Sequence, residues 1–179
     1  MGHEPSPAAA RSATMRFITI LLLLPLAACV HAPPPQVTAP RFSAQAFFVG
    51  ATRGDGRLKI AFSAAKAVTV AGQGHVEPDG TLVLDQTVTG AAAKPEQRQW
   101  RIREVSPGRY AGTLSDAAGP VTGVVTGNRL HLHFHMKHGL IADQWLDLSA
   151  DGQVARNRMT FARMGVRVAV LDETIRRVS

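Results

Sequence analysis

Apolar and polar residues alternate with a period of two along much of the chain. In Arg129–Lys137, Leu130, Leu132, Phe134 and Met136 fall on one side, and His131, His133 and His135 on the other. Across Thr81–Thr89, Leu82, Leu84 and Val88 share a side with Gln86, while Val166, Val168 and Val170 alternate with Arg167 and Ala169. Successive side chains of a strand point to opposite faces, so this period predicts half-buried strands. Between such runs stand Asp55-Gly56, Asp79-Gly80, Pro107-Gly108, Gly119-Pro120, Gly127-Asn128 and Asp151-Gly152. Glycine accepts a positive φ without steric cost, so these pairs predict tight turns. Gly54-x-Gly56 and Gly72-x-Gly74 lack the rest of a phosphate-cradling pattern and read as turns or bulges. The expected fold is all-β: an antiparallel meander of about 8–10 strands with no long helix. Closure into a small barrel removes the exposed edges of such a meander. A membrane-spanning barrel would need apolar spans of about 9–11 residues and aromatic girdles. The few, scattered aromatic residues do not supply them.

The N-terminal region follows different rules. From Met15 the chain reads MRFITILLLLPLAAC, with Arg16 before an apolar run from Phe17 to Leu24. That run is too short for a bilayer-spanning helix, which needs about 20 apolar residues, but suits a secretory leader. Leu26-Ala27-Ala28-Cys29 resembles the lipobox of bacterial lipoprotein signal peptides, and Cys29 is the only cysteine. The resemblance implies cleavage before Cys29, acylation of its thiol and amine, and anchoring by the acyl chains. Val30, rather than an aspartate, follows the cysteine, which by the family rule implies the outer membrane, periplasmic face. The expected organisation is a signal peptide over 1–28, with 1–14 a possible start-site extension. A lipid-anchored, proline-rich linker over 29–44 and a β-barrel domain over 45–179 follow. Pro33-Pro34-Pro35 and Pro40 favour an extended spacer.

Loss of residues 1–28 removes Arg11, Arg16 and Glu4 and takes the formal charge from +7 to about +6, a modest basic balance that favours anionic surfaces. Nucleic acid is not an expected partner, because no stacking platform is evident and the compartment excludes it.

Phe47-Phe48-x-Gly50 and Gly54-x-Gly56-x-Leu58 open the domain. Trp100-x-Ile102, Gly108-Arg109-Tyr110-x-Gly112-Thr113, Asp116 and Gly127-Asn128-x-Leu130 follow, then Asn157-Arg158 and Arg163-x-Gly165. In this order the motifs resemble a family of small bacterial lipoproteins of unknown function with a lipocalin-like β-barrel, over residues 45–177. The resemblance implies the barrel and brings no reaction with it.

Candidate chemistry is sparse. His131, His133 and His135 share one strand face at a spacing of about 6.6–6.8 Å, so two of them can converge on a metal, with His138, Asp143 or Asp147 as a further ligand. The competing reading is an ordinary polar strand face. No nucleophile elbow surrounds Ser115-Asp116, and Cys29 is committed to the anchor. Among the C-terminal arginines, whose planar forks suit phosphate or carboxylate groups, Arg158 and Arg163 lie within the family-like segment. With Trp100, Tyr110 and Phe134 they form the candidate ligand-binding set.

The sequence thus points to a non-enzymatic, monomeric lipoprotein without a cofactor. It is attached to the membrane through Cys29, and its barrel holds an apolar or amphipathic molecule such as a fatty acid or lipid. Two alternatives stand beside this. One is a structural or interaction protein of the envelope with a filled barrel. The other is a metal-dependent enzyme built on the His131/His133/His135 strand.

Overall fold

The computed structural model describes residues 1–2 and 40–178; Cys29, the leader and most of the linker lie outside them. A short helix, α1 (Ala44–Phe48), precedes ten strands: β1 (Gly50–Ile60), β2 (Lys66–Val76), β3 (Leu82–Thr89), β4 (Glu96–Ser106), β5 (Arg109–Leu114), β6 (Ala117–Thr126), β7 (Arg129–Met136), β8 (Leu140–Leu148), β9 (Val154–Arg163) and β10 (Val166–Val178). Each strand pairs antiparallel with the next, and β10 returns to pair with β1, so the sheet is a closed, lipocalin-like barrel. The outward residues of β4 include Gln97, Gln99, Arg101 and Arg103, all exposed.

The alternation on β7 is realised as expected: Leu130, Leu132 and Phe134 are buried, and Met136 is partly buried at the end of the strand. On β10 the valine pattern is displaced. A register shift between Arg167 and Ala169 breaks the alternation, and the buried residues are Leu171, Glu173 and Ile175.

Two expected turns are also corrected. Asp55-Gly56 lies inside β1 and Gly119-Pro120 inside β6, beside a register irregularity between Ala117 and Val121. The glycines of β1 serve packing: a Cβ at Gly54 would overlap the Glu173 carboxylate, and one at Gly56 would crowd the Glu173 backbone. On β2, a Cβ at Gly74 would collide with the Phe48 carbonyl of α1. Asp79-Gly80, Pro107-Gly108, Gly127-Asn128 and Asp151-Gly152 do form turns, all at one end of the barrel.

That end is plugged. Ser43 caps α1 by accepting from Ala46 N at 3.2 Å, which satisfies one of the free amides of the first turn. Phe42, Phe47 and Phe48 are buried, with Phe47 and Phe48 edge to face at 4.8 Å. Tyr110 Oη accepts from Ala44 N at 3.3 Å and donates to Gln45 Oε1 at 3.2 Å. Arg177 donates to the carbonyls of Ala46 and Phe47 at the helix C-terminus, where a cation suits the dipole. Phe42 N donates to Gly127 O at 3.0 Å, so the chain joins the barrel here. Among the described residues the opposite end carries only a three-residue 3-10 turn, Lys137–Gly139, on the β7–β8 connection. Its mouth is edged by partly buried Leu58, Ala91, Ala117, Met136 and Phe161.

Candidate functional site

On five strands, polar residues lie within the row of side chains that otherwise builds the core. Gln86 lies between Leu84 and Val88 on β3, Gln144 between Ala142 and Leu146 on β8, Asn157 between Ala155 and Met159 on β9, and Glu173 between Leu171 and Ile175 on β10. Arg98 precedes Trp100 and Ile102 on the inward face of β4 and is half-buried. The barrel therefore carries a polar belt between its apolar layers.

The belt forms two hydrogen-bonded groups. Gln86 Oε1 accepts from Trp100 Nε1 at 2.9 Å and from Arg98 Nε at 3.0 Å. Opposite them, Gln144 Nε2 donates to Asn157 Oδ1 at 3.0 Å, and Asn157 Nδ2 donates to Glu173 Oε2 at 2.7 Å. Between the groups lies a cavity of about 30 Å³, touched by Gln86, Arg98, Gln144 and Glu173. Two buried acceptors, Gln144 Oε1 and Glu173 Oε1, have no partner among the described residues. A buried polar group costs about 1–3 kcal/mol when left unpaired, so each of these oxygens gains from a donor brought within reach. Its volume suits one or two water molecules or a small polar head group.

Burial pushes the Glu173 carboxyl above its ordinary range, opposed by the hydrogen bond from Asn157 and by the charge of Arg98. Burial likewise lowers Arg98, with Glu173 the largest opposing charge. The belt was not recognised in the sequence beyond Gln86. The available signal was the interruption itself, one polar residue flanked at i−2 and i+2 by core residues on several strands.

The candidate ligand set is not gathered in one place. Trp100 and Phe134 meet inside the barrel, ring centroids 5.4 Å apart and nearly perpendicular. Tyr110 belongs to the plug. Arg158 is on the outer face, where its Nε lies 2.9 Å from Asp172 Oδ1, and Arg163 is exposed at the open end. The three histidines also face outward. A nitrogen of His131 and one of His133 both hydrogen-bond Asp143 Oδ1 at 2.9 Å, and His135 stands edge-on to His133. Among the described residues no group of three or more His, Cys, Asp or Glu side chains is arranged to hold a metal ion.

A larger concavity of about 650 Å³ lies on the outer face of β7 to β10, β1 and β2. Its walls hold two charge pairs, Arg129 with Asp147 at 2.6 and 2.8 Å and Arg158 with Asp172, beside Arg57 and Arg156, which form no ion pair among the described residues.

A family model described as "Protein of unknown function (DUF3833)" matches residues 23–177. No curated protein matches the chain by sequence. Solved structures that share the fold include the following three. An S-type phycobiliprotein lyase, CPES from Guillardia theta, superposes with a TM-score of 0.61 at 10% identity, over 77% of this chain and 94% of that one. A protein of unknown function from the DUF3598 family of Nostoc punctiforme gives 0.60 at 12% identity, over 82% of this chain and 53% of its own. Rv2717c from M. tuberculosis gives 0.59 at 16% identity, over 74% and 93%. At these identities the likeness establishes the barrel fold and nothing finer.

Proposed function

The chain belongs to the DUF3833 family of proteins of unknown function, and we propose that it is a non-enzymatic binding barrel whose belt takes the head group of an apolar or amphipathic molecule. The observation that carries this reading is a small cavity in an otherwise apolar interior, lined by Gln86, Arg98, Gln144 and Glu173, two of which carry unpartnered buried acceptors, Gln144 Oε1 and Glu173 Oε1. A head group with a hydroxyl or a protonated carboxyl donates to one side and accepts from the guanidinium on the other. Its tail runs toward the mouth along Phe134, Met136 and Phe161. A small-molecule pocket commonly encloses about 300–1,000 Å³, so a fatty acid enters only if Met136 and Phe161 swing aside. The fold's likeness to a phycobiliprotein lyase is compatible with a small ligand in such a barrel.

The 30 Å³ cavity supports the second reading, a barrel filled by its own side chains that serves as a structural or interaction module. One experiment separates them: titration of the delipidated full chain with a fluorescent fatty acid, alongside Arg98→Gln and Phe134→Ala. A binding barrel saturates, and Arg98→Gln weakens binding about 10- to 100-fold, the worth of a charge-assisted hydrogen bond. No saturation, with Phe134→Ala costing about 3–5 kcal/mol of stability, leaves the filled barrel.

In this reading the barrel is held at the periplasmic face of the outer membrane through acylated Cys29. Cys29→Ser should then abolish palmitate labelling and release the protein from the membrane fraction. Retention of label would end that part of the proposal.

A further inference from the structure

The open end of the barrel is chemically unlike the rest of the molecule. All four lysines of the chain, Lys59, Lys66, Lys94 and Lys137, lie at or beside its connections, together with Arg163 and Arg167. The acidic residues at these connections are Glu96 and Asp116. None of the six cations forms an ion pair with a described residue. At the plugged end, Arg41 pairs with Glu104, Arg101 with Glu77, Arg103 with Asp79 and Arg129 with Asp147.

Within this ring of cations two large apolar side chains project into solvent. Phe62, on the β1–β2 connection, is fully exposed, and Met164, on the β9–β10 connection, is almost fully so. The two connections are neighbours, because Ile60 pairs with Ala169 and Ala61 N donates to Val168 O at 2.8 Å. Exposed Ile60 and Val166 extend the patch. Both tip residues also have positive φ, 61° at Phe62 and 50° at Met164. A side chain with a Cβ pays about 1–2 kcal/mol in that region, where glycine or asparagine is the inexpensive choice. Bulky apolar residues are thus held in a costly conformation that points them at water. Local folding does not call for that, and strain of this kind gathers at functional contacts.

We propose that the open end docks onto the surface of an anionic lipid bilayer, with Phe62 and Met164 entering the interface and the lysines lying over the head groups. Charge complementarity selects a lipid surface carrying negative head groups. Two narrow tips, rather than a flat apolar face, suit insertion between head groups better than packing against a folded partner. The proposal rests on the rim alone and needs no occupant in the barrel. The docking end is the far one from the point where the chain joins the barrel at Arg41 and Phe42.

The test uses the full chain with Cys29→Ser and one new cysteine, Phe62→Cys or Asp151→Cys, carrying an environment-sensitive fluorophore. Asp151 is exposed on a turn of the plugged end. Vesicles of phosphatidylglycerol in phosphatidylcholine should blue-shift the probe at position 62, with a several-fold gain in intensity, and leave that at 151 unchanged. Pure phosphatidylcholine should leave both unchanged. A lysine beside an anionic surface strengthens binding about fivefold, so Lys→Gln at positions 59, 66, 94 and 137 together should weaken it several-hundred-fold. Raised salt should act in the same direction. A shift at 151 instead of 62, an equal response to neutral vesicles, or unchanged affinity of the four-lysine variant would each overturn the proposal. Circular dichroism checks that the variants fold, as changes at exposed turns should allow.

Discussion

The two ends of this barrel solve opposite problems with the same chain. At the plugged end a five-residue helix brings Phe47 and Phe48 under the strands, its first turn is capped by Ser43, and its last carbonyls are held by Arg177. Charges there are largely matched by neighbours. At the open end the lysines have no described carboxylate partner, and the non-glycine residues of positive φ among the described residues, Phe62, His138 and Met164, all sit on its connections. One end minimises its own free energy. The other keeps charge, apolar surface and backbone strain in contact with solvent, where something else can use them.

The sharpest way to break this contrast is to truncate one phenylalanine at each end. Phe47 is buried against Phe42 and Phe48, with ring centroids 5.9 and 4.8 Å away. Phe47→Ala should cost about 3–5 kcal/mol in a denaturant titration, because the plug cannot collapse onto the space left. Phe62→Ala should stay within about 0.5 kcal/mol of the parent, as exposed positions do. Equal losses would mean that the ends do not differ in packing.

Next in size is the belt between the ends. An acid whose folded pKa exceeds its unfolded value adds stability below that unfolded value, near 4.5 for Glu173, and loses it as pH rises through the folded pKa. Glu173→Gln has no such proton to lose. Its stability relative to the parent should therefore improve as the pH is raised from below about 4.5 through the range where the folded carboxyl ionises, whatever the offset caused by the amide. Chemical denaturation across that range checks the slope. A difference independent of pH would mean that Glu173 titrates normally and that the belt is wetter than its geometry implies.

Smaller again is the hydrogen bond that ties the plug to the wall. Tyr110→Phe leaves the ring in place and removes only the hydroxyl that serves Ala44 N and Gln45 Oε1. The expected loss is about 0.5–1.5 kcal/mol. Hydrogen exchange should show it as faster opening of α1 with the barrel amides unchanged. Uniform loss of protection would instead make the plug part of one cooperative unit with the strands.

How far the molecule was legible in its sequence differs along the same axis. The closed all-β barrel could be read because the period-two rows of β3 and β7 have a single structural meaning. The plugged-end turns could be read because Asp79-Gly80, Gly127-Asn128 and Asp151-Gly152 sit where glycine is needed for a positive φ. Asp55-Gly56 carries the same letters for another reason: Glu173 occupies the space that a side chain at Gly54 or Gly56 would fill, and that is a long-range fact no local window contains. The belt was obscured similarly. Asn157-Arg158 stood out as a pair, yet pleating sends Asn157 inward to Glu173 and Arg158 outward to Asp172. The open-end connections gave the weakest turn signals, because Phe62 and Met164 stand where turn-forming residues would be expected.

That last point yields the smallest and most specific prediction. Met164 and Gly165 are the two residues joining β9 to β10, with φ of 50° and 77°. Both signs match the mirror-image two-residue hairpin turns, whose first position favours asparagine because its short side chain tolerates the left-handed region. Met164→Asn should therefore stabilise the barrel by about 0.5–1 kcal/mol, since almost no packing is lost from so exposed a side chain. At the plugged end the same logic reverses: Gly152 has φ of 69°, and Gly152→Ala should cost about as much as Met164→Asn gains. If methionine is kept at this turn for contact rather than for folding, the more stable Met164→Asn variant should also bind anionic vesicles less well. A gain in stability with lower vesicle affinity would mark a site where function opposes stability. A loss of stability in Met164→Asn would mean that the methionine is packed after all, and the distinction between the two ends would fail at the residue where it is sharpest.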